Sequence, residues 1–140
     1  MIPPKVLIAV DGSDHSLRAV EKAIEYTQQV NGEAILIHCH KKFPRLLGEP
    51  YLQGAISEIK DAAEETVKPF RKILKENDIR YSERILEGPA GSVIPNVAEI
   101  EKCDIIIMGS RGLSDLEGLL VGSVTHRVLH LAHCPVLVTK

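Results

Sequence analysis

The sequence predicts a single α/β domain built on a parallel β-sheet with helices on both faces. Short runs rich in isoleucine, leucine and valine alternate with longer segments whose apolar residues recur at helical spacing. Most of the short runs are continuously apolar, as in strands that are covered on both faces. The length of 140 residues is typical of one domain.

The composition is that of an ordinary globular protein, with 44% hydrophobic and 26% charged residues. A formal net charge of −2 gives no general attraction to nucleic acid or to an anionic membrane. The cysteines Cys39, Cys103 and Cys134 are odd in number and lack zinc-ligand spacing, so we expect them to be reduced. With no secretory leader and no membrane-spanning apolar run in the sequence, we expect a cytoplasmic protein.

The first half of the chain is predicted to form two strands and two helices. A buried strand over residues 5–10 leads into a helix that begins with Ser13 as its N-cap and ends near residues 31–32. A second buried strand over 33–39 precedes a loop over 40–50. The longest helix begins at Leu52 and ends near Asn77, and Pro69 should kink or break it near residues 67–68.

The second half begins with an edge strand over residues 79–86, in which apolar and polar residues alternate. Gly88 and Pro89 turn the chain into a helix for which Ser92 is the expected N-cap. That start would place Pro95 in the first turn, where no N–H group is required. A buried strand over 104–108, a glycine-rich loop, a helix over 124–132 and a strand over 135–139 complete the chain.

The glycine-rich loop has the features of a phosphate-binding site. It contains Gly109-Ser-Arg-Gly112 and, after nine further residues, Gly122-Ser123 at the start of a helix. Main-chain N–H groups near glycines and at a helix N-terminus can surround an anion. The spacing matches neither the P-loop nor the dinucleotide fingerprint, so we expect another kind of phosphate site. Arg111 could neutralise phosphate charge or be a solvated surface residue.

Asp11 follows the first strand and has two interpretations. Ligands of open parallel sheets bind beyond the carboxyl ends of the strands, where the strand order reverses. If the first and fourth strands are central neighbours, this crevice lies between residues 9–13 and 108–112. The Asp11 carboxylate could then accept hydrogen bonds from ribose hydroxyls, or it could merely cap the turn into the first helix.

Taken together, these motifs resemble those of the universal stress protein family, in its ATP-binding subgroup. The matching residues are the start Val6-Leu-Ile-Ala-Val-Asp11, the spaced glycine motif from Gly109 to Val124, and the ending Cys134-Pro-Val-Leu-Val138. The resemblance covers essentially the whole chain. It implies a Rossmann-like, adenine nucleotide alpha hydrolase-like fold and one universal stress protein domain over residues 1–140.

The resemblance also implies a set of nucleotide contacts. Asp11 would contact the ribose, and Ala9 and Val10 would line the pocket. Cys39 takes the place of a small apolar residue of the family beside the adenine, and Met108 would help to cover the base. The positions implied to surround the ribose and phosphates are Gly109, Gly112, Gly122, Ser123 and Val124, with Arg111 as a further contributor. Mg²⁺ would be held mainly by the phosphates, so no protein ligand is assigned to it.

Binding is favoured over hydrolysis because the loop supplies few parts of a phosphoryl-transfer site. It has no lysine, and no carboxylate is evidently placed to orient water, so no catalytic residue is assigned. Asp115 and Glu117 within the loop could hold a metal, although charged loop residues are usually solvated.

Histidines suggest two other chemistries, which the sequence disfavours. Ser123 and His126 with Asp11 would make a hydrolase triad, but the nucleophile elbow GxSxG is absent. The remaining histidines are more typical of solvated side chains than of metal ligands, because no full ligand set accompanies them. They comprise His126, His130 and His133 on one helix face and His38 and His40 on one strand face.

We therefore expect a sheet of order 3-2-1-4-5 in a homodimer that pairs through the last strand, beside Val136 and Val138. The dimer would bind ATP with Mg²⁺ as a sensor or switch in a stress response and would act on a further protein partner. Two alternatives remain open, namely slow ATP hydrolysis in the same site and a dimeric interaction module that needs no nucleotide. The intact glycine motif favours nucleotide binding.

Overall fold

A computed structural model describes residues 2–112 and 121–140. Its elements, in chain order, are β1 (Lys5–Ala9), α1 (Asp14–Gln29), β2 (Glu33–His40), a short 3₁₀ helix (Arg45–Leu47), α2 (Tyr51–Glu76), β3 (Tyr81–Glu87), α3 (Ala90–Ile100), β4 (Ile105–Gly109), α4 (Ser123–Leu131) and β5 (Val136–Thr139).

The five strands form one parallel sheet of order β3-β2-β1-β4-β5, which confirms the predicted fold class and strand order. β1 lies between β2 and β4, with Leu7 opposite Ile35 on one side and opposite Ile106 on the other. The strand order therefore reverses beside β1. β3 and β5 are the edge strands.

Alternate residues of the central strands face two separate apolar layers. α1 and α2 pack on one face of the sheet, around Ile8, Leu36 and Ile107. α3 and α4 pack on the other face, around Leu7, Ile37 and Ile106. Because both faces are covered, the central strands must be apolar at every position, which explains the continuous runs in the sequence.

α1 begins as predicted. The Ser13 hydroxyl accepts a hydrogen bond from the Ser16 N–H at 3.2 Å, so Ser13 is the N-cap. Gly12 precedes it with φ of 85°, in the left-handed region that favours glycine. The turn between β1 and α1 is therefore short and defined by its side chains.

The prediction of a kink or break near residues 67–68 is wrong as regards the break, because α2 is continuous from Tyr51 to Glu76. Pro69 cannot donate to the Glu65 carbonyl, four residues earlier. Both residues are exposed, so water can satisfy that carbonyl, while Val67 and Phe70 on the other side of the helix are buried.

The predicted N-cap of α3 is also wrong. α3 begins at Ala90 with Pro89 as its N-cap, and the N–H groups of Ser92 and Val93 already donate to the Pro89 carbonyl. Ser92 is consequently inside the first turn, and Pro95 lies in the interior of the helix. The remaining differences are small: β2 extends to His40, the 40–50 loop contains the 3₁₀ helix, and β3 begins at Tyr81.

Glu87, the last residue of β3, anchors the segment that follows β2. The Arg45 guanidinium donates two hydrogen bonds of 2.8 Å to the Glu87 carboxylate, and the Phe43 N–H donates a third of 2.7 Å. Arg45 also lies over the Phe43 ring, 5.6 Å from its centroid. The hydrogen bonds from Arg45, followed by the one from Phe43, lower the pKa of Glu87 to about 2.

This low pKa predicts an acid-sensitive contribution to stability. A free Glu has a pKa of about 4.3, so the contribution of Glu87 is complete above that pH and is lost as the pH falls towards 2. Glu87→Gln should therefore destabilise the protein at pH 7, and its difference from the wild type should shrink below about pH 4. Urea unfolding of both proteins across this pH range measures the difference in their free energies of unfolding.

Glu76→Gln is a matched control, because it removes an exposed ion pair with Lys72 at 3.9 Å. We expect this substitution to change stability by less than about 0.5 kcal/mol. A Glu87→Gln difference at pH 7 that is no larger than that of the control would refute the anchoring role.

Candidate functional site: a cleft beside the reversal of strand order

A cleft lies at the carboxyl ends of β1 and β4, where the strand order reverses. It is lined by Ala9, Val10, Asp11, Ser16, Ile37, Cys39, Ala90, Ile94, Met108, Gly109, Arg111, Gly112, Val124 and Thr125. Most of the site residues predicted from the sequence are among them. Gly122 and Ser123 are not in this lining.

One part of the cleft is apolar. Cys39 and Met108, which were expected to contact a base, lie there together with Ala9, Ile37 and Ile94. Ala9 and Met108 are 7% and 5% exposed, so this wall belongs to the sheet core. Burial raises the pKa of the Cys39 thiol to about 11, which keeps the thiol neutral and suits a wall for an apolar group.

Three apolar lining residues were not predicted from the sequence, although a signal for each existed. Ile37 precedes Cys39 by two residues, so the two share one face of β2. Ala90 and Ile94 are one helical turn apart at the start of α3. Because α3 begins earlier than predicted, its first turn lies beside the cleft.

The polar part of the cleft contains Asp11, whose side chain holds the turn into α1. Its Oδ1 accepts hydrogen bonds from the Ser13 N–H at 2.9 Å and from the Ser16 hydroxyl at 2.7 Å. The Asp11 N–H donates to the same Ser16 hydroxyl at 2.8 Å. Asp11 thus caps the turn, as one interpretation of the sequence held, and it also lines the cleft. Ser16, which was not predicted, orients it.

Gly109 is a glycine because α1 approaches it closely. A Cβ atom at this position would lie 2.6 Å from the Cβ of His15 and 2.9 Å from its carbonyl carbon. No side chain fits there without a shift of the first turn of α1. The sequence suggested that this glycine brings the main chain near a phosphate, and the structure shows a packing requirement.

The two described ends of the glycine-rich loop are held together. The Gly122 N–H donates to the Ser110 carbonyl at 2.6 Å, and the buried Thr125 hydroxyl donates to the Gly109 carbonyl at 2.8 Å. Gly122 is the N-cap of α4, and Ser123 is the first residue of that helix. The N-terminus of α4 therefore lies against the end of β4, with Val124 and Thr125 lining the cleft. Asp115 and Glu117 lie outside the described residues.

The histidines serve other contacts in the described part of the chain. The expectation of a solvated side chain is wrong for His38, which is buried and whose Nδ1 donates to the Val10 carbonyl at 2.8 Å. His40 Nδ1 donates to the Lys41 carbonyl at 2.8 Å, and His133 lies 3.6 Å from the Glu99 carboxylate at the surface. Over residues 2–112 and 121–140, no group of three or more His, Cys, Asp or Glu residues is arranged to hold a metal ion.

Two further observations concern possible surroundings of the protein. β5 pairs with β4 and lies at an edge of the sheet, with Val136 and Val138 half-buried. Within the described ranges, the helices are too short or too polar for a membrane span.

A family model and individual relatives both match this chain over nearly its whole length. The model of the universal stress protein family matches residues 4–140. Universal stress protein MJ0531 of Methanocaldococcus jannaschii is 38% identical over 140 residues, which cover 97% of this chain and 81% of that protein.

Solved structures share the fold. The structure of protein MJ0577, also from Methanocaldococcus jannaschii, superposes with a TM-score of 0.88 at 28% identity and covers 100% of this chain and 97% of that one. A family protein from Arabidopsis thaliana, solved with AMP bound, has a TM-score of 0.69 at 20% identity and covers 99% of this chain and 92% of that one. From the match to the family model and to MJ0531, the chain belongs to the universal stress protein family.

Proposed function

We propose that this chain binds ATP, together with Mg²⁺, in the cleft between β1 and β4. The observation that carries the proposal is the division of one cleft into an apolar slot and a polar end beside a helix N-terminus. An apolar slot accepts a base, a carboxylate accepts ribose hydroxyls, and helix N–H groups bind phosphate. An adenine nucleotide has these three parts in this order, and a relative of the same fold was solved with AMP bound.

The proposed contacts follow this division. Cys39 and Met108 flank the base, Ala9 and Val10 form the floor, and Asp11 accepts from the ribose. The phosphates lie towards Arg111, Gly112 and the first residues of α4, which include Ser123 and Val124, with Gly109 and Gly122 shaping the loop. Asp11 is the single carboxylate in the described cleft lining, and its Oδ1 already holds the turn, so Mg²⁺ is coordinated mainly by phosphate oxygens.

We further propose that the protein holds the nucleotide as a homodimeric switch in a stress response. Turnover requires a group that orients water and fixed positive charge at the transferring phosphoryl group. Among the described lining residues, Arg111 is the one cation and no histidine or lysine is present. Nucleotide would instead favour one arrangement of the loop between Gly109 and Gly122, and a protein partner would recognise that arrangement. Pairing of β5 edges would form the dimer.

The proposal is tested by mass spectrometry of small molecules released from freshly purified protein, followed by calorimetric titration with ATP, ADP and AMP in the presence and absence of Mg²⁺. Release of adenine nucleotide, or titration with ATP as the tightest ligand, supports it. A protein that releases no nucleotide and binds none overturns it in favour of a nucleotide-independent module. Steady ADP production that Gly122→Val abolishes would establish the ATPase alternative, and size-exclusion chromatography with light scattering measures the dimer.

Asp11 substitutions separate ribose binding from the turn. Asp11→Ala should lower the affinity for ATP by about 10- to 100-fold, because a charge-assisted hydrogen bond contributes about 1.5–3 kcal/mol. Asp11→Asn retains an oxygen that can accept the Ser13 and Ser16 hydrogen bonds, so its free energy of unfolding should equal that of the wild type. Its affinity for ATP should still be lower than that of the wild type. Calorimetry and urea unfolding of both variants give the two quantities. Wild-type affinity in both variants would remove Asp11 from the site.

A further inference from the structure

A second surface feature shares no lining residue with the cleft. A groove runs between the 40–50 segment and α2. It is lined by Lys41, Lys42, Pro44, Ala55, Glu58, Ile59 and Ala62. Its floor is therefore apolar, and two lysines stand on the rim formed by the segment.

Three large apolar side chains in or directly after the segment are exposed. Leu46 is 104% exposed, Leu47 is 52% exposed and Tyr51 is 70% exposed. Tyr51 precedes Ala55 by one helical turn, and Ala55 precedes Ile59 by another, so the three form one stripe along α2. Large apolar residues that cluster on the surface, rather than occurring singly, mark sites where another molecule binds.

The segment is held in place rather than loosely attached. The Glu87 carboxylate binds both the Arg45 side chain and the Phe43 main chain, and the Phe43 ring packs against His40 at a centroid distance of 4.9 Å. The Leu52 N–H donates to the Gly48 carbonyl at 2.9 Å and joins the segment to α2. A partner would therefore meet a preformed surface and would not have to order it.

The charges around the groove determine which partner fits. Lys41 and Lys42 are exposed, and in the described part of the chain neither ammonium group has an ion-pair partner. Arg45, by contrast, is paired with Glu87. Two unpaired cations beside an apolar floor are complementary to a segment that presents carboxylates next to apolar side chains.

We propose that this surface, comprising the groove and residues 46, 47 and 51, binds an amphipathic acidic peptide segment of another protein. The leucine and tyrosine side chains and the groove floor take its apolar face, and Lys41 and Lys42 pair with its carboxylates. An anionic lipid surface fits less well, because the site is a concave groove and a membrane surface is broad and flat. This interaction does not depend on the nucleotide site.

The test uses the full chain and a short fluorescein-labelled peptide with leucines at helical spacing and glutamates at most other positions. Fluorescence anisotropy should show binding that salt weakens, and the counterpart peptide with lysine in place of glutamate should bind at least about tenfold more weakly. Lys41→Glu combined with Lys42→Glu should lower the affinity for the acidic peptide by about tenfold, equal to about 1.4 kcal/mol. Leu46→Ser combined with Leu47→Ser should weaken it by a similar factor.

The matched control is Lys68→Glu combined with Lys75→Glu. This pair makes the same charge change on α2, at two positions that do not line the groove. It should leave the peptide affinity within about twofold of the wild type, after allowance for net charge. All substituted positions are exposed, and circular dichroism checks that each variant is folded. Equal weakening by the control pair, or equal binding of the acidic and basic peptides, would overturn the proposal. Binding to phosphatidylserine vesicles without binding to the peptide would also overturn it and assign the surface to membranes.

Discussion

Gly109→Ala is expected to lower the free energy of unfolding by about 1–3 kcal/mol, since the new methyl group overlaps the first turn of α1. The Cβ would lie 2.6 Å from the His15 Cβ and 2.9 Å from the His15 carbonyl carbon. The second of these atoms belongs to the main chain, so a side-chain rotation cannot relieve the overlap. Urea unfolding at pH 7 measures the loss.

The same substitution should also weaken nucleotide binding. Any shift of α1 away from β4 moves Ser16 and hence the Asp11 carboxylate that Ser16 orients. Any shift of Gly109 moves the carbonyl that holds Thr125 and the N-terminus of α4. Both changes occur at the polar end of the cleft, so calorimetry with ATP should show weaker binding even under conditions in which the variant is fully folded.

Gly54→Ala provides the matched control. It makes the same chemical change in the first turn of α2, at a position where a Cβ would meet no atom within 4 Å outside the neighbouring helix backbone. Alanine favours a helix over glycine, so this variant should be more stable than the wild type by about 0.5–1 kcal/mol. A Gly109→Ala protein with wild-type stability would show that the close approach of α1 is not a packing requirement.

Ala9→Leu is expected to abolish most nucleotide binding with little loss of stability. Ala9 ends β1, and its side chain contributes to the floor of the cleft, so a longer side chain occupies the space assigned to the base. We expect ATP affinity to fall by about 100-fold, equal to about 2.7 kcal/mol. Ala9 is itself packed in the sheet core but also lines the cleft, so the added atoms have open space to enter and the unfolding free energy should change by less than about 1.5 kcal/mol.

Ala9→Gly serves as the opposite change, since it leaves the cleft open and should keep ATP affinity within about threefold of the wild type. Calorimetry with ATP and urea unfolding are needed for both variants. If Ala9→Leu binds ATP normally while folded, the base does not lie against β1 and the assignment of the apolar slot is wrong. If it loses both affinity and stability, the leucine has displaced the core rather than filled the cleft.

The exposed histidines and the carboxylates of this chain illustrate why residue inventory is a weak guide to chemistry. Ser123, His126 and Asp11 are the residue types of a hydrolase triad, yet Ser123 and His126 are exposed on α4 and outside the described cleft lining, whereas Asp11 lines the cleft. No sequence pattern indicated a role for Glu87, because its partners Phe43 and Arg45 lie in the segment after β2. Such contacts join residues far apart in the chain and leave no local pattern.

Local patterns predicted the order of elements well, because the three central strands are buried on both faces and the helices on one. Continuous apolar runs and helical spacing follow directly from that burial, and the strand order that we expected is the one observed. Ser13 could likewise be recognised as an N-cap, since its partner Ser16 lies three residues away. The prolines could not be interpreted in this way, because the effect of Pro69 depends on which side of α2 faces water.

The chemical pattern in the sequence was sufficient to place Asp11 and the glycine-rich loop at one edge of the sheet, because parallel strands bring their carboxyl ends together. Tertiary packing alone decided that Gly109 accommodates α1, that Thr125 holds α4 against β4, and that the first turn of α3 adds Ala90 and Ile94 to the cleft wall. These contacts depend on differences of a few tenths of an ångström in the distances between separate elements. A sequence records which residue types can make such contacts, whereas the packing of helices on the sheet determines which of them form.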